Sequence, residues 1–166
     1  MNSLELLRAA PGLDLFTDAE LAVLDRVLVA RAHREGALLV REGASAEAVT
    51  ATMFLLLEGT VEISTGKGRD TVHLEVLGPG AVFGQNALID HEPRGADCRA
   101  VSNVVTAELS RMVWEELIHS HTGVAAKFQT LVARQLARDL RHLTSLVQEA
   151  ASGDDERLRR RLGMTA

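Results

Sequence analysis

The hydrophobic period changes in the middle of the chain, and that change restricts the fold more than any other feature. Between residue 37 and about residue 109 the apolar residues come in short runs: ALLV, TMFLLL, VEIS, TVHLEVL, AVF and the stretch from Ala96 to Leu109. They are cut by REGAS, EG, GKGRD, GPG and the loop around HEPR. In VEIS and TVHLEVL the apolar positions alternate, Val61 and Ile63, then Val72, Leu74 and Val76, as in strands with one buried face. Six or more short strands separated by glycine-bearing turns predict a sandwich or barrel.

Helical patterning flanks this region. In residues 1–34, Thr17 and Glu20 have the spacing of a capping box, with Phe16 placed as its staple. Leu21, Leu24, Val27 and Leu28 then follow at three- and four-residue intervals. Past Ser110, RMVWEELIH predicts a short helix ended by HSHTG. A longer helix is predicted from about Val124 to Glu149, roughly 39 Å at about 1.5 Å per residue. Its apolar positions Val124, Phe128, Leu131, Val132, Leu136, Leu140, Leu143 and Val147 end in a near-heptad stripe. A small barrel cannot cover a helix of that length, so a second copy is expected to do so, giving a homodimer. The expected segments are thus an N-terminal helical piece over 1–34, a barrel over 35–109, helices over 110–150 and a charged tail over 151–166. In the tail, Asp154, Asp155 and Glu156 precede Arg157 and Arg159–Arg161, which predicts a short solvated helix.

Composition removes several functions. The 166 residues fit one domain, and 18 Lys/Arg against 23 Asp/Glu leave a formal charge of -5, so no electrostatic footprint for nucleic acid exists. Cys98 is the sole cysteine, which excludes an internal disulfide and disfavours a zinc cluster. His119 and His121 sit at a spacing poor for metal ligation, so no metal is expected. Aromatics make up only 3%, with no tyrosine, too few for base-stacking platforms. There is no 18-residue apolar run and no basic, apolar leader, so a soluble cytoplasmic protein without membrane contact is expected. No Ser-His-Asp or Cys-His arrangement is suggested, and the chain is not expected to be an enzyme.

The chemistry concentrates in GPGAVFGQNALIDHEPRGADCRA, residues 78–100. Gly84 starts a tight corner, Gln85 to Leu88 can form one helical turn, and Arg94 follows Pro93, whose fixed φ limits its presentation. Free amides at a helix start favour an anion, and an arginine brought over the same corner offers a planar fork to phosphate oxygens. Together they read as a phosphate cradle. The competing reading makes Arg94 a structural ion-pair residue, with Asp90, Glu92 or Asp97 as its partner.

This stretch resembles the phosphate-binding cassette of the cyclic nucleotide-binding domain family, as in bacterial cAMP receptor/Fnr-type regulators and kinase regulatory subunits. The family pattern is FGE, one variable residue, AL, four residues and PRxA; this chain has FGQNAL, IDHE and PRGA. REG at 41–43, LLLEGTVEI at 55–63, LGPG at 77–80 and the early FTDAEL match as well. The resemblance covers about residues 13–150. It implies a mainly β fold with flanking helices, a jelly-roll barrel with its cassette at 83–97, followed by a long C-terminal helix.

The resemblance also implies the roles of individual residues. Arg94 would pair with the cyclic phosphate, helped by the amides of Gly95 and Ala96 and by the cassette turn with Asn86 and Ala87. The amides of Gly84 and Gln85 would lie on the sugar side. Gln85 stands where the family's Glu accepts from the ribose 2'-hydroxyl; its oxygen still accepts, with a loss of roughly 1 kcal/mol for the missing charge. Gly95 lacks the hydroxyl that favours cGMP, so cAMP is the expected ligand and cGMP the lesser one. Asp97 is expected to face away from the phosphate, and Thr144, beside Ser145, is the candidate hydroxyl for the adenine. About fifteen residues follow the long helix, too few for the winged helix-turn-helix of the bacterial regulators. Direct nucleic-acid binding is therefore not expected, and output would pass through a protein effector or altered dimer assembly. The alternative function is a degenerate domain of this type, acting as a ligand-independent interaction or scaffold module.

Overall fold

The computed structural model describes residues 2–45, 51–68 and 71–151. The helix expected over Asp154–Arg161 lies outside the described residues, as does almost all of the 151–166 tail; Ala151 ends the long helix.

Two capping boxes start the N-terminal helices. The Thr17 hydroxyl accepts from the Glu20 amide at 3.3 Å and the Glu20 carboxylate accepts from the Thr17 amide at 2.7 Å, starting α2 (Asp18–Val27). Asn2 and Glu5 make the same exchange at the start of α1 (Ser3–Ala9). The expected N-terminal helical segment ends earlier than residue 34. Leu28 is already extended, and Val29–His33 is a strand, β1. Its backbone pairs antiparallel with β8 (Val104–Ser110), Arg31 opposite Thr106, so a tertiary ladder overrides the local helical pattern.

The remaining strands are β2 (Leu38–Val40), β3 (Thr52–Glu58), β4 (Val61–Thr65), β5 (Val72–Leu77), β6 (Val82–Phe83) and β7 (Asp97–Ala100). The apolar stretch from Ala96 to Leu109 thus divides between two strands, and these lie in different sheets. One sheet runs β1-β8-β3-β6 and the other β2-β7-β4-β5, every pairing antiparallel. At the EG turn between β3 and β4, Gly59 has φ +82°, and a Cβ there would stand 2.3 Å from the Asn103 carbonyl oxygen, so only glycine fits.

β3 is buried from Met53 through Leu57, which explains why TMFLLL does not alternate. Its odd residues Met53, Leu55 and Leu57 join the helices in one cluster, while Phe54 and Leu56 join the other with Val61, Phe83, Cys98 and Val104. Phe54 stacks on Phe83 with centroids 5.0 Å apart. The period of two therefore supplies both cores from one strand.

A short helix, α3 (Asn86–Ile89), leaves β6, and α4 (Arg111–Ser120) leaves β8, capped by the Ser110 hydroxyl. Trp114 on α4 packs on Phe128, centroids 5.8 Å apart. After one non-helical residue, His121, α5 runs from Thr122 to Ala151. Its inward face carries Phe128, Leu131, Val132 and Gln135 against the β core, and the Lys127 ammonium donates to Glu20 at 2.6 Å, tying α5 to α2. Farther along, Leu140, Leu143 and Val147 are exposed. Among the described residues no helix is long and apolar enough to cross a membrane.

Candidate functional site

A cavity of about 330 Å³ opens where β6, the cassette and β7 meet α5, within the size range of small-molecule sites. Apolar side chains of Val40, Ile63, Leu74, Leu77 and Phe83 form much of its wall.

The cassette is held by backbone straps. The Arg94 amide donates to the Ala44 carbonyl at 3.0 Å and the Gly43 amide donates to the Arg94 carbonyl at 2.8 Å, fixing Arg94 beside the REG turn. Gly84 takes φ +72° at the corner, a conformation that glycine adopts without strain. The space beside it is taken by Arg94: a Cβ at Gly84 would lie 3.1 Å from the Arg94 Nη1. Nη1 donates to the Gly84 carbonyl at 2.6 Å and Nη2 to the Thr52 carbonyl at 2.7 Å.

Arg94 is 8% exposed, and among the described residues its guanidinium makes no ion pair. Asp97, Asp90 and Glu92 are not its partners. Asp97 accepts from the Glu42 amide at 2.6 Å and does not line the cavity; Asp90 accepts from the Glu92 amide at 3.0 Å, and both loop acids are exposed. Burial, with the charge of Arg111 adding, lowers the Arg94 pKa from its ordinary value. Among the described residues this buried cation is bonded to carbonyl dipoles and not to an anion, and the cavity it lines has room for one.

Six residues expected around the ligand do come together on this wall: Gly84, Gln85, Asn86, Arg94, Gly95 and Ala96. Ala87 follows in α3. Among the described residues the amides of Gly95 and Ala96 donate to no backbone carbonyl. Gln85 is 5% exposed; its Nε2 donates to Asp139 at 3.3 Å, and its Oε1 is buried without a partner among the described residues.

Thr144 is not at the cavity. It is exposed, and its hydroxyl donates to the Leu140 carbonyl at 2.8 Å. Helical spacing puts Asp139, His142 and Leu143 on one face, and those three line the cavity instead. The His142 Nε2 donates to the Leu74 carbonyl at 2.7 Å. Glu75 completes this side, its pKa raised by burial and by the charge of Asp139. Sequence reasoning missed Glu75, Asp139 and His142 because nothing local on β5 or α5 marks them. Only the docking of the helix aims them inward. Cys98, also at the wall, has its thiol pushed up to about 12 by burial and is an inert apolar filler.

Residues 30–121, more than half of the chain, match the profile of the cyclic nucleotide-binding domain. The chain belongs to that family. A regulatory subunit of cAMP-dependent protein kinase, type II, from Drosophila melanogaster is 32% identical over 101 residues, 61% of this chain and 26% of the relative. A cyclic nucleotide-gated potassium channel of Mesorhizobium japonicum is 32% identical over 125 residues, 75% of this chain and 32% of the channel. This chain thus spans a third or less of the length of these relatives. A crystal structure of a cyclic nucleotide-binding domain from Methylobacillus flagellatus shares the fold, with a TM-score of 0.74 at 22% identity, covering 88% of this chain and 81% of that one.

Proposed function

We propose that this domain is a regulatory sensor that binds a 3',5'-cyclic nucleotide, cAMP in preference to cGMP, and passes the signal through α5 to a protein partner or a second copy. The observation that carries the reading is Arg94, a buried guanidinium that lines an open cavity and has no counter-ion among the described residues. A cyclic phosphate supplies one negative charge and two free oxygens, which suit a planar donor and the nearby amides of Gly95 and Ala96. Gln85 Oε1, an acceptor with no donor among the described residues, suits a sugar hydroxyl. Gly95 offers no side-chain hydroxyl for a guanine, which supports adenine. The strand order 1-8-3-6 over 2-7-4-5 supports a jelly-roll description of the two sheets.

Binding at the cavity would alter the contacts of Asp139, His142 and Leu143, so ligand and α5 share one wall, and a shift in helix position is the natural output. The exposed residues Leu140, Leu143 and Val147 continue from half-buried Leu136 in a four-three-four spacing, which supports pairing of two copies of α5. Calorimetric titration tests the ligand. Saturable heat with cAMP, stronger than with cGMP, is expected; no heat at about 1 mM, a concentration at which even ~4 kcal/mol of binding registers, overturns the reading and favours the scaffold alternative.

A further inference from the structure

The geometry points to Asp139 as the positioning residue that sets the hydrogen-bond polarity of Gln85, so that the cavity accepts a hydroxyl donor at that point and transmits its presence to α5. This rests on the reading that the cavity takes a cyclic nucleotide.

A glutamine amide can present either its oxygen or its NH2 to a ligand, and an isolated Gln side chain has no reason to prefer one. Here the choice is made by α5. Asp139 is acceptor-only when ionised, and its Oδ2 lies 3.3 Å from the Gln85 nitrogen. Flipping the amide would set two acceptor oxygens against each other. The carboxylate is itself fixed from the other side: Gln135, 2% exposed, donates from Nε2 to Asp139 Oδ1 at 2.7 Å. Gln135 in turn accepts at Oε1 from Arg138 at 2.6 Å and from the Val82 amide at 3.4 Å. Among the buried side-chain atoms of this chain of contacts one, Gln85 Oε1, has no partner among the described residues, and it lies at the cavity wall.

A buried acceptor without a donor is costly, so the site discriminates for a ligand that brings one. Once a hydroxyl donates to Oε1, polarisation through the amide strengthens the Nε2–H bond to Asp139. That bond, at 3.3 Å, is long for one to a carboxylate and has room to shorten. The hydroxyl therefore draws Asp139, and α5 with it, toward the cassette. The pairing also accounts for glutamine at position 85: a carboxylate there would face the carboxylate of Asp139.

Affinities for cAMP and 2'-deoxy-cAMP, compared in the unaltered protein and in Asp139→Ala, test this. A preference for the hydroxyl-bearing ligand of about fivefold or more is expected, the scale of one neutral hydrogen bond, falling below about twofold in Asp139→Ala. The double variant Gln85→Glu with Asp139→Asn reverses donor and acceptor between the two side chains and should restore the preference. An undiminished preference in Asp139→Ala overturns the proposal. A second measurement needs no ligand: the Gln85 side-chain NH2 resonances, assigned by their loss in Gln85→Glu, should move in Asp139→Asn. Resonances that stay in place overturn the proposal even if cAMP binds. Resonances that move in a protein that ignores cAMP support the lock between Gln85 and Asp139, while the cyclic-nucleotide reading fails.

Discussion

The Arg94 guanidinium closes on the backbone of its own cassette, Nη1 donating to the Gly84 carbonyl at 2.6 Å. The same side chain also holds the Thr52 carbonyl on β3, so it joins the corner, the sheet and the cavity through one group. Among the described residues both of its bonds are made to neutral carbonyls, so its charge is not matched by a carboxylate there.

Arg94→Ala should therefore fail in two ways. Loss of a charge-assisted bidentate contact should weaken cAMP binding by at least about 100-fold, or ~2.7 kcal/mol, measured by calorimetry. Two part-buried carbonyls lose this donor as well, so the melting temperature should fall, with a stability loss of about 1–3 kcal/mol by denaturant titration. Arg94→Lys should recover part of the stability and little of the binding, since an ammonium cannot span both carbonyls and a phosphate.

Gly84→Ala tests the corner itself. The added methyl would meet Arg94 Nη1 and the Thr52 oxygen, each 3.1 Å away, at a φ of +72°. A destabilisation of about 1–2 kcal/mol is expected from the backbone conformation and the crowding together. Gly95→Ala is the contrast: a Cβ there meets nothing within 4 Å. Its denaturation midpoint should correspond to a change within about 0.5 kcal/mol.

Glu75 carries a pH dependence of defined sign. Burial, and then the charge of Asp139, raise its pKa above the ordinary 4.5, so the folded state holds the proton more tightly than the unfolded chain does. Stability is thus lost as pH rises from the ordinary carboxyl value through the raised one, the cost stays constant above it, and there is none once both states are protonated. Thermal melts of Glu75→Gln against the unaltered protein should show a gain at pH 7 that vanishes below the ordinary carboxylate range. An equal gain at both ends would assign the effect to something other than the charge.

Pairing through α5 is tested at its exposed positions. Leu136 is half-buried and packs against the core, so replacing it would perturb the fold. Leu140 and Val147, at 66% and 67% exposure, are the residues to change. Light scattering should give about 36 kDa for the unaltered protein, twice 17.9 kDa, the closed two-copy assembly expected for an isologous helix pair. Leu140→Glu with Val147→Glu should return it to the single-chain mass with an unchanged circular dichroism spectrum, and its melting temperature should no longer depend on protein concentration.

Much of this protein is written locally. Thr17 and Glu20 announce the start of α2, the alternation in VEIS announces β4, and FGQNAL with PRGA announces the cassette, because caps, pleats and tight corners each depend on residues a few positions apart. Asn2 and Glu5 cap α1 at the same spacing, and although the reading of the sequence passed over that pair, such a cap is legible locally. The strand at Val29–His33 was not, since its helical pattern yields only to the ladder offered by β8, some 70 positions away in the chain.

The site divides along the same line. The sequence alone determined that an arginine and a run of free amides would share one loop. Whether that arginine spends its charge on Asp90, Glu92 or Asp97 was decided by the tertiary structure, which engages Asp97 with the Glu42 amide and leaves the loop acids in solvent. Which turn of α5 lines the cavity was decided there too. A rotation of about 100° per residue separates Thr144 from Leu143, and only the angle at which α5 docks selects between them. Asp139, Glu75 and Gln85 come from three separate elements, and their joint chemistry exists only once those elements are packed.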